Sequence, residues 1–383
     1  MKVLYDSQAF TMQKFGGVSK CFCELIAHLP KEVQWEVGIK ESDNFHLHDS
    51  IMPHLPYSQH IDLEHFLCKK SFRGKGRIFV AANKYLPGFI STEGINRQYT
   101  IELLKRGDYD VFHPTFFDDY FLPYLNGKPF VLTVHDVIPE LFPQYFKKNN
   151  PETKRKLLLC TKAAAIVAVS ENTKKDLCRI MNIPEEKIHV IYHGGPESKN
   201  IEEPPIITEP YFLYVGGRGG YKNFSTLLNG FALFTQQRGG IKLVCTGNSL
   251  NKKEMKEIQS LHLTDQVIQI KASDQKLANL YAYAIAFIYP SLYEGFGMPI
   301  LEAYAYGCPV ILNKRSCFPE IAGDAAIYFD TDDNASFIAE SLAVAVNLSD
   351  EQRRQLIALQ KSRLEKYSWQ HSSQQLAQLY ASL

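Results

Sequence analysis

Short apolar runs alternate with helix-length amphipathic segments along almost the whole chain. Runs at 2–5, 33–39, 109–112, 129–134, 164–169, 187–191, 211–215, 241–246, 266–270, 285–289, 309–312 and 325–329 predict strands. Several of them, such as Ala165-Ile166-Val167-Ala168-Val169, are apolar at every position, which is the pattern of parallel strands covered on both faces. Strands in alternation with helices predict an α/β fold of doubly wound parallel sheets. The series breaks between 195 and 210, where Gly194-Gly195-Pro196 leads into a polar segment containing Pro204, Pro205 and Pro210. Such a segment between apolar strands reads as a linker. The run at 211–215 then restarts the series. The prediction is two halves of similar size, 1–195 and 206–366, with a terminal helix over 367–383, carrying Leu376, Leu379 and Tyr380, that crosses back onto the first. Open parallel sheets bind ligands at the carboxyl ends of their strands, so a crevice between the halves is the expected site.

Composition narrows the classes. With 45% apolar and 22% charged residues the chain is neither disordered nor collagen-like. The 42 basic and 41 acidic side chains cancel to +1, so no global field draws the protein to nucleic acid, and any attraction to an acidic membrane must be local. The longest charge-free stretch, Leu277 to Tyr293, is interrupted by Asn279, Pro290 and Ser291. It reads as a helix followed by a buried strand, since a bilayer span needs about 20 apolar residues. Met1 to Asp6 reads as a first strand and not as a signal peptide. The eight cysteines form no CxxC pair and have no histidines at finger spacing. Neither a zinc site nor a disulfide framework is predicted, and buried thiols in a cytoplasmic protein are expected.

Three strand ends carry candidate chemistry. After 211–215 comes Gly216-Gly217-Arg218-Gly219-Gly220-Tyr221-Lys222-Asn223. Its glycines would let backbone amides approach a diphosphate, with Arg218 and Lys222 supplying charge; the alternative is a plain glycine-rich turn with two solvated cations. It is not a dinucleotide fingerprint, because Lys222 occupies the place of the third glycine. After 285–289 comes Ser291-Leu292-Tyr293-Glu294-Gly295-Phe296-Gly297-Met298-Pro299-Ile300-Leu301-Glu302. Pro299 suits the first helical position, so this helix would open its unpaired amides and positive dipole end onto the crevice, bracketed by Glu294 and Glu302. Separately, Glu302 is an ordinary acid near a helix start and Glu294 a solvated loop acid. In the first half, strand 129–134 ends in His135-Asp136, where His135 would bind a sugar hydroxyl or donate to a leaving group, or simply cap the strand. Gly16-Gly17 adds a flexible loop over the same edge, or a simple turn.

Taken together, these motifs resemble the retaining, nucleotide-sugar-dependent "group 1" glycosyltransferases of the two-domain GT-B fold. The resemblance runs through the Gly16-Gly17 loop, His135-Asp136, Val169-Ser170-Glu171-Asn172-Thr173, the Arg218/Lys222 loop, the Glu294-x7-Glu302 element and Glu320 near Gly323. It implies two Rossmann-like domains, the first for the acceptor and the second for the donor. It further implies that Glu302 holds the ribose and that Arg218 and Lys222, with Gly217, clamp the diphosphate. Glu294 with the Gly297-Met298-Pro299 backbone would contact the transferred sugar, which His135 and the Gly16-Gly17 loop would also reach. The family usually spaces its arginine and lysine further apart, and some members carry arginine where this chain has Tyr221, so Lys222 is the firmer assignment. The family is typically metal-independent. Asp330-Thr331-Asp332 is accordingly read as the cap of a helix beginning near Asn334, not as a metal-binding DxD. Asp118, Asp119 and Asp136 are the acceptor-side candidates.

The expected function is a retaining, metal-independent hexosyltransferase of surface-polysaccharide assembly. It would use a nucleotide-diphosphate sugar and a carbohydrate or lipid-linked glycan acceptor. Asp136-Val137-Ile138-Pro139 is similar to mannosyl and related transferases and favours a GDP-sugar. The alternatives are a nucleotide-sugar epimerase, a glycan phosphorylase, a glycoside hydrolase pairing Glu294 with Glu302, and a non-catalytic nucleotide-sugar-binding protein. Finally, His65 to Thr92 contains no acid but has Lys69, Lys70, Arg73, Lys75, Arg77 and Lys84 among Phe66, Leu67, Phe72, Ile78, Phe79 and Tyr85. Such a segment suits peripheral contact with anionic lipid at the inner face of the membrane, or a solvated loop.

Overall fold

The computed structural model describes residues 1–61, 66–67, 72, 74–86, 90–148, 150–198, 200–330 and 334–383. Lys69, Lys70 and Arg73 of the basic segment, and Thr331 and Asp332 of the DxD run, lie outside them. Among the described residues twelve strands form: β1 (Lys2–Tyr5), β2 (Gln34–Val37), β3 (Val111–His113), β4 (Val131–Val134), β5 (Ala165–Ala168), β6 (Ile188–Val190), β7 (Tyr211–Tyr214), β8 (Lys242–Thr246), β9 (Val267–Ile270), β10 (Ala286–Tyr289), β11 (Val310–Asn313) and β12 (Ile327–Phe329). Every pairing is parallel.

The first half carries β2-β1-β3 and β4-β5-β6, which a parallel bridge between Phe112 and Phe130 joins edge to edge. The second half is one six-stranded sheet, β12-β11-β10-β7-β8-β9. Its order reverses between β7 and β10, and a crevice opens beyond the strand ends at such a point. Those two strands lead into the Gly216 and Ser291 loops. β4, β5, β7 and β10 are buried along their full length. A side chain buried this way contributes about 1.5–3 kcal/mol, which is why unbroken apolar runs hold the centre of both sheets.

Leu277–Tyr293 divides between the Asp274–Tyr283 helix and β10, and no described helix is long and apolar enough to cross a membrane. The Trp369–Ala381 helix returns to the first half. Tyr380 hydrogen-bonds the Tyr5 hydroxyl at 2.9 Å and His113 Nδ1 at 2.5 Å, and Ser373 donates to the Leu25 carbonyl at 2.8 Å.

Candidate active site

The glycine-rich loop after β7 turns through Gly216 (φ 107°) and Gly220 (φ 54°), both in the left-handed region that glycine adopts without strain. Its last turn, Gly220–Lys222, delivers Lys222 to the crevice, where the ammonium meets Glu294 Oε1 at 2.6 Å. Burial alone would lower the Lys222 pKa. The facing Glu294 carboxylate, assisted by Tyr221 and Asp136, outweighs it and holds the ammonium above its ordinary value. A half-buried cation is therefore in place before any ligand arrives.

The loop that carries Glu294 is fixed from behind. Glu294 N–H donates to Ser316 Oγ at 3.2 Å, Ser316 Oγ donates to the Glu294 carbonyl at 2.6 Å, and the Cys317 thiol donates to the Glu294 and Phe296 carbonyls. Gly297, at φ 95°, turns the chain into the Met298–Ala305 helix, which has no side-chain cap on its first amides. Pro299 occupies the second helical position, one later than expected from sequence, where its missing N–H is still among those without a helical partner. Glu302, on the second turn, accepts from Tyr281 Oη at 3.3 Å and faces Lys20 of the first half at 3.5 Å.

Arg218 departs from its expected place at the diphosphate. Nη1 donates to the Thr246 carbonyl at 3.1 Å, Nη2 donates to the carbonyls of Asn248 and Ser249, and Nε lies 3.2 Å from Glu254. Only 4% of this side chain is exposed. A guanidinium has five donors in a rigid fork, and here the fork ties the loop after β8 to the loop after β7. Removing one partner of a buried ion pair costs about 3–5 kcal/mol. Arg218→Leu is accordingly expected to lower stability by about 3 kcal/mol while Lys222 and Glu294 keep their contact. Urea denaturation beside a nucleotide titration would separate the two effects.

The first half supplies His135 at the end of β4. Burial, reinforced by the Lys156 ammonium and only partly offset by Asp136, pulls its pKa down to about 4. It is neutral at pH 7, so it can present an N–H or a lone pair to a sugar hydroxyl but carries no imidazolium proton for a leaving group. Its Nε2 is buried without a partner. Asp136 accepts from Ile138 N–H at 2.9 Å, turning the chain ahead of the short Ile138–Leu141 helix, and its charge is felt at Lys222. Gly16 and Gly17 are not a free loop. Gly16 caps and Gly17 opens the Gly17–Ala27 helix, neither has a positive φ, and no side chain caps the first amides. Asp118 lines a cavity of about 320 Å³ with Gln8, Met12, Phe116, Arg97 and Arg155. It pairs with Arg97, and Asp119 lies 3.6 Å from Arg155.

Gly295 is where the halves lock. Its carbonyl accepts from Ser170 Oγ at 2.6 Å and Thr173 Oγ1 at 3.3 Å, and Tyr293 Oη donates to Asp176 at 2.7 Å. Glu320 accepts from the amides of Glu171 and Asn172 at 2.7 and 3.0 Å, a carboxylate on the positive end of the Glu171–Met181 helix. The Ser170-to-Thr173 segment and Glu320 are thus docking residues between the halves. Sequence reasoning passed over Lys20, Tyr281 and Ser316. Only Lys20 left a signal, lying one helical turn beyond Gly16-Gly17.

Burial also lowers His113 to about 3 and His193 well below the ordinary value, with His135 adding repulsion to both. In the unfolded chain these imidazoles titrate near pH 6.5. Between pH 6.5 and about 4 the unfolded chain takes up protons that the native one refuses. Their contribution to stability is whole above pH 6.5 and falls with pH, by up to about 1.4 kcal/mol per unit for each histidine. Thermal melts at pH 7.5 and 5.0 should show that fall; equal melting temperatures would contradict buried neutral imidazoles.

Residues 15–196 match the family "Glycosyltransferase Family 4" and residues 197–363 match "Glycosyl transferases group 1". The chain is 30% identical over 217 residues to the O-antigen chain mannosyltransferase RfbU of Salmonella typhimurium, spanning 56% of this chain and 60% of that one. It is 28% identical over 283 residues to O-antigen chain mannosyltransferase B of Escherichia coli, spanning 69% and 73%. Among solved structures, Anabaena HepE in complex with UDP and glucose superimposes with a TM-score of 0.71 at 17% identity, over 100% of both chains. Sucrose-phosphate synthase from Thermosynechococcus elongatus gives 0.71 at 17% identity, over 100% and 98%. These similarities establish the GT-B fold, and with contiguous family matches running from residue 15 to residue 363 the chain belongs to the group 1 glycosyltransferases.

Proposed function

We propose that the protein transfers a hexose from a nucleotide-diphosphate sugar to a glycan or lipid-linked glycan acceptor in surface-polysaccharide assembly, with retention of configuration and without a metal ion. The observation that carries this reading is the Lys222–Glu294 contact at 2.6 Å beside the uncapped start of the Met298–Ala305 helix, with His135 across the crevice. Breaking a glycosyl–phosphate bond builds negative charge on the diphosphate. A preformed cation and aligned amides stabilise that charge in the transition state more than in the ground state. Lys222 would meet the diphosphate, Glu302 the ribose, and Glu294 with the backbone of 297–299 the departing sugar. Neutral His135 would orient a sugar hydroxyl. The acceptor hydroxyl would attack from the face the nucleotide leaves and pass its proton to a donor phosphate oxygen.

The mannosyltransferase relatives favour a mannosyl donor and the Asp136-Val137-Ile138-Pro139 run favours GDP as its carrier, whereas HepE was solved with UDP and glucose. Thermal-shift screening of GDP-mannose against UDP-glucose decides between them, since a ligand at a hundred times its Kd stabilises by about 2.7 kcal/mol. Turnover should persist in EDTA, and NMR should find the product in the donor's anomeric configuration. Loss of turnover in EDTA with rescue by Mg2+ or Mn2+, or an inverted product, would overturn the respective part of the reading.

Inner-face membrane association is supported by the described part of the basic segment. Leu67, Phe72, Ile78, Tyr85 and Leu86 are exposed around Arg77, although Lys75 is buried. Co-sedimentation with phosphatidylserine vesicles should weaken when the exposed apolar side chains are made polar. Undiminished binding would remove this reading.

A further inference from the structure

Cys21, His135 and His193 come from three separate places in the first half: the Gly17–Ala27 helix, the end of β4, and the segment after β6. In the fold each offers one ligand atom, and the three atoms lie within 4.8 Å of one another. Cys21 Sγ is 3.1 Å from His193 Nδ1, and the His135 and His193 ring centroids are 5.7 Å apart. Around them stand the rings of Phe22, Phe296 and Trp369. Two ligands on a tetrahedral zinc, with bonds of about 2.0–2.3 Å, are separated by about 3.5 Å. From a spread of up to 4.8 Å, and 3.1 Å for the Cys21–His193 pair, the separations have to change by about 1.3 Å at most, within the reach of side-chain rotation.

The donor chemistry selects the ion. A thiolate with two imidazoles suits Zn2+ or Co2+, whereas Mg2+, Ca2+ and Mn2+ prefer oxygen. Three protein ligands leave a fourth position for water. One of the three is the histidine assigned to the sugar.

We propose that Cys21, His135 and His193 form a three-ligand site for a thiophilic divalent metal, Zn2+ in the first instance, whose binding withdraws His135 from the donor sugar and inhibits transfer. As the sulfur–metal bond forms, the Cys21 thiol gives its proton to water, and both imidazoles bind in their neutral form. In this proposal the metal is an inhibitor and not a cofactor, in line with the turnover expected in EDTA. The inhibitory half of this proposal rests on the transferase reading; the binding half does not.

Titrating the full, EDTA-treated chain with Co2+ tests binding without turnover. A thiolate-to-cobalt charge-transfer band in the near ultraviolet should saturate at one equivalent and be displaced by Zn2+. The band should persist in Cys23→Ser, vanish in Cys21→Ser, and weaken at least tenfold in apparent affinity in His193→Gln. No band in the wild type, or an unchanged band in Cys21→Ser, overturns the site. In the transfer assay Zn2+ should inhibit the wild type, and the midpoint should rise at least tenfold in Cys21→Ser, each measured against its own metal-free rate. A wild type that binds Co2+ yet transfers at full rate in excess Zn2+ overturns the inhibitory role. A chain that binds Co2+ but transfers no sugar under any condition overturns the transferase reading and leaves the metal site standing.

Discussion

Replacing Lys222 by alanine is expected to lower kcat for sugar transfer by about 10²–10³-fold, the usual consequence of removing one preorganised donor to a developing oxyanion. Arg218, the other cation of the loop, is not placed to compensate. Arg218 is held by Glu254 and by the carbonyls of Thr246, Asn248 and Ser249, and Tyr221 stands where some relatives carry arginine. Alanine would also leave Glu294, only 8% exposed, without its partner. Its charge would then oppose the diphosphate at the position where Lys222 attracts it. Lys222→Arg restores charge but not shape, because a planar fork replaces a point charge next to the Tyr221 and Tyr289 rings. It should recover only part of the loss. Steady-state kinetics with saturating acceptor read both effects, and a Lys222→Ala rate within threefold of wild type would contradict the assignment.

Gly295→Ala should be nearly as damaging for a different reason. A methyl group there would overlap the His135 carbonyl oxygen, stand 2.8 Å from its carbonyl carbon and lie 3.2 Å from Asp136 Cβ. The first two are backbone atoms that no rotamer change can move aside. The second-half loop would have to back away from the first half, disturbing the Ser170 and Thr173 hydrogen bonds to Gly295. A displacement of about 1 Å in a reacting constellation can cost about 10²-fold in rate. The contact lies just past the end of β4 and outside its strand pairing, so far-UV circular dichroism should be unchanged while transfer falls by about that factor. Gly239→Ala is the control, since Gly239 has open space around its Cβ and no positive φ. Equal activity of the two variants would show that the halves do not meet at Gly295 as described.

The strands were legible in the sequence because parallel strands covered on both faces must be apolar at consecutive positions, and each predicted run contains or overlaps an observed strand. Their ends were less so. The run at 33–39 extends past Val37 because Ile39 is buried without belonging to the strand. The order of strands in the sheets is a matter of long-range pairing that local pattern does not encode. The same limit separates Lys222 from Arg218. Both are cations in one glycine-rich loop, and only the position of Glu254 in space turns one of them away. His135 was legible as a strand-end residue, but its neutral state depends on burial by neighbours distant in sequence. The Cys21, His135 and His193 cluster, which the cysteine spacing argued against, is likewise a product of folding alone.

Calorimetric titration of wild type and Lys222→Ala with GDP and with UDP tests the diphosphate assignment most directly. One of these nucleotides should bind the wild type and lose at least tenfold in affinity in the variant, while the corresponding nucleoside binds both proteins equally. If the variant binds both nucleotides as tightly as the wild type does, the diphosphate lies elsewhere and the proposed site is wrong.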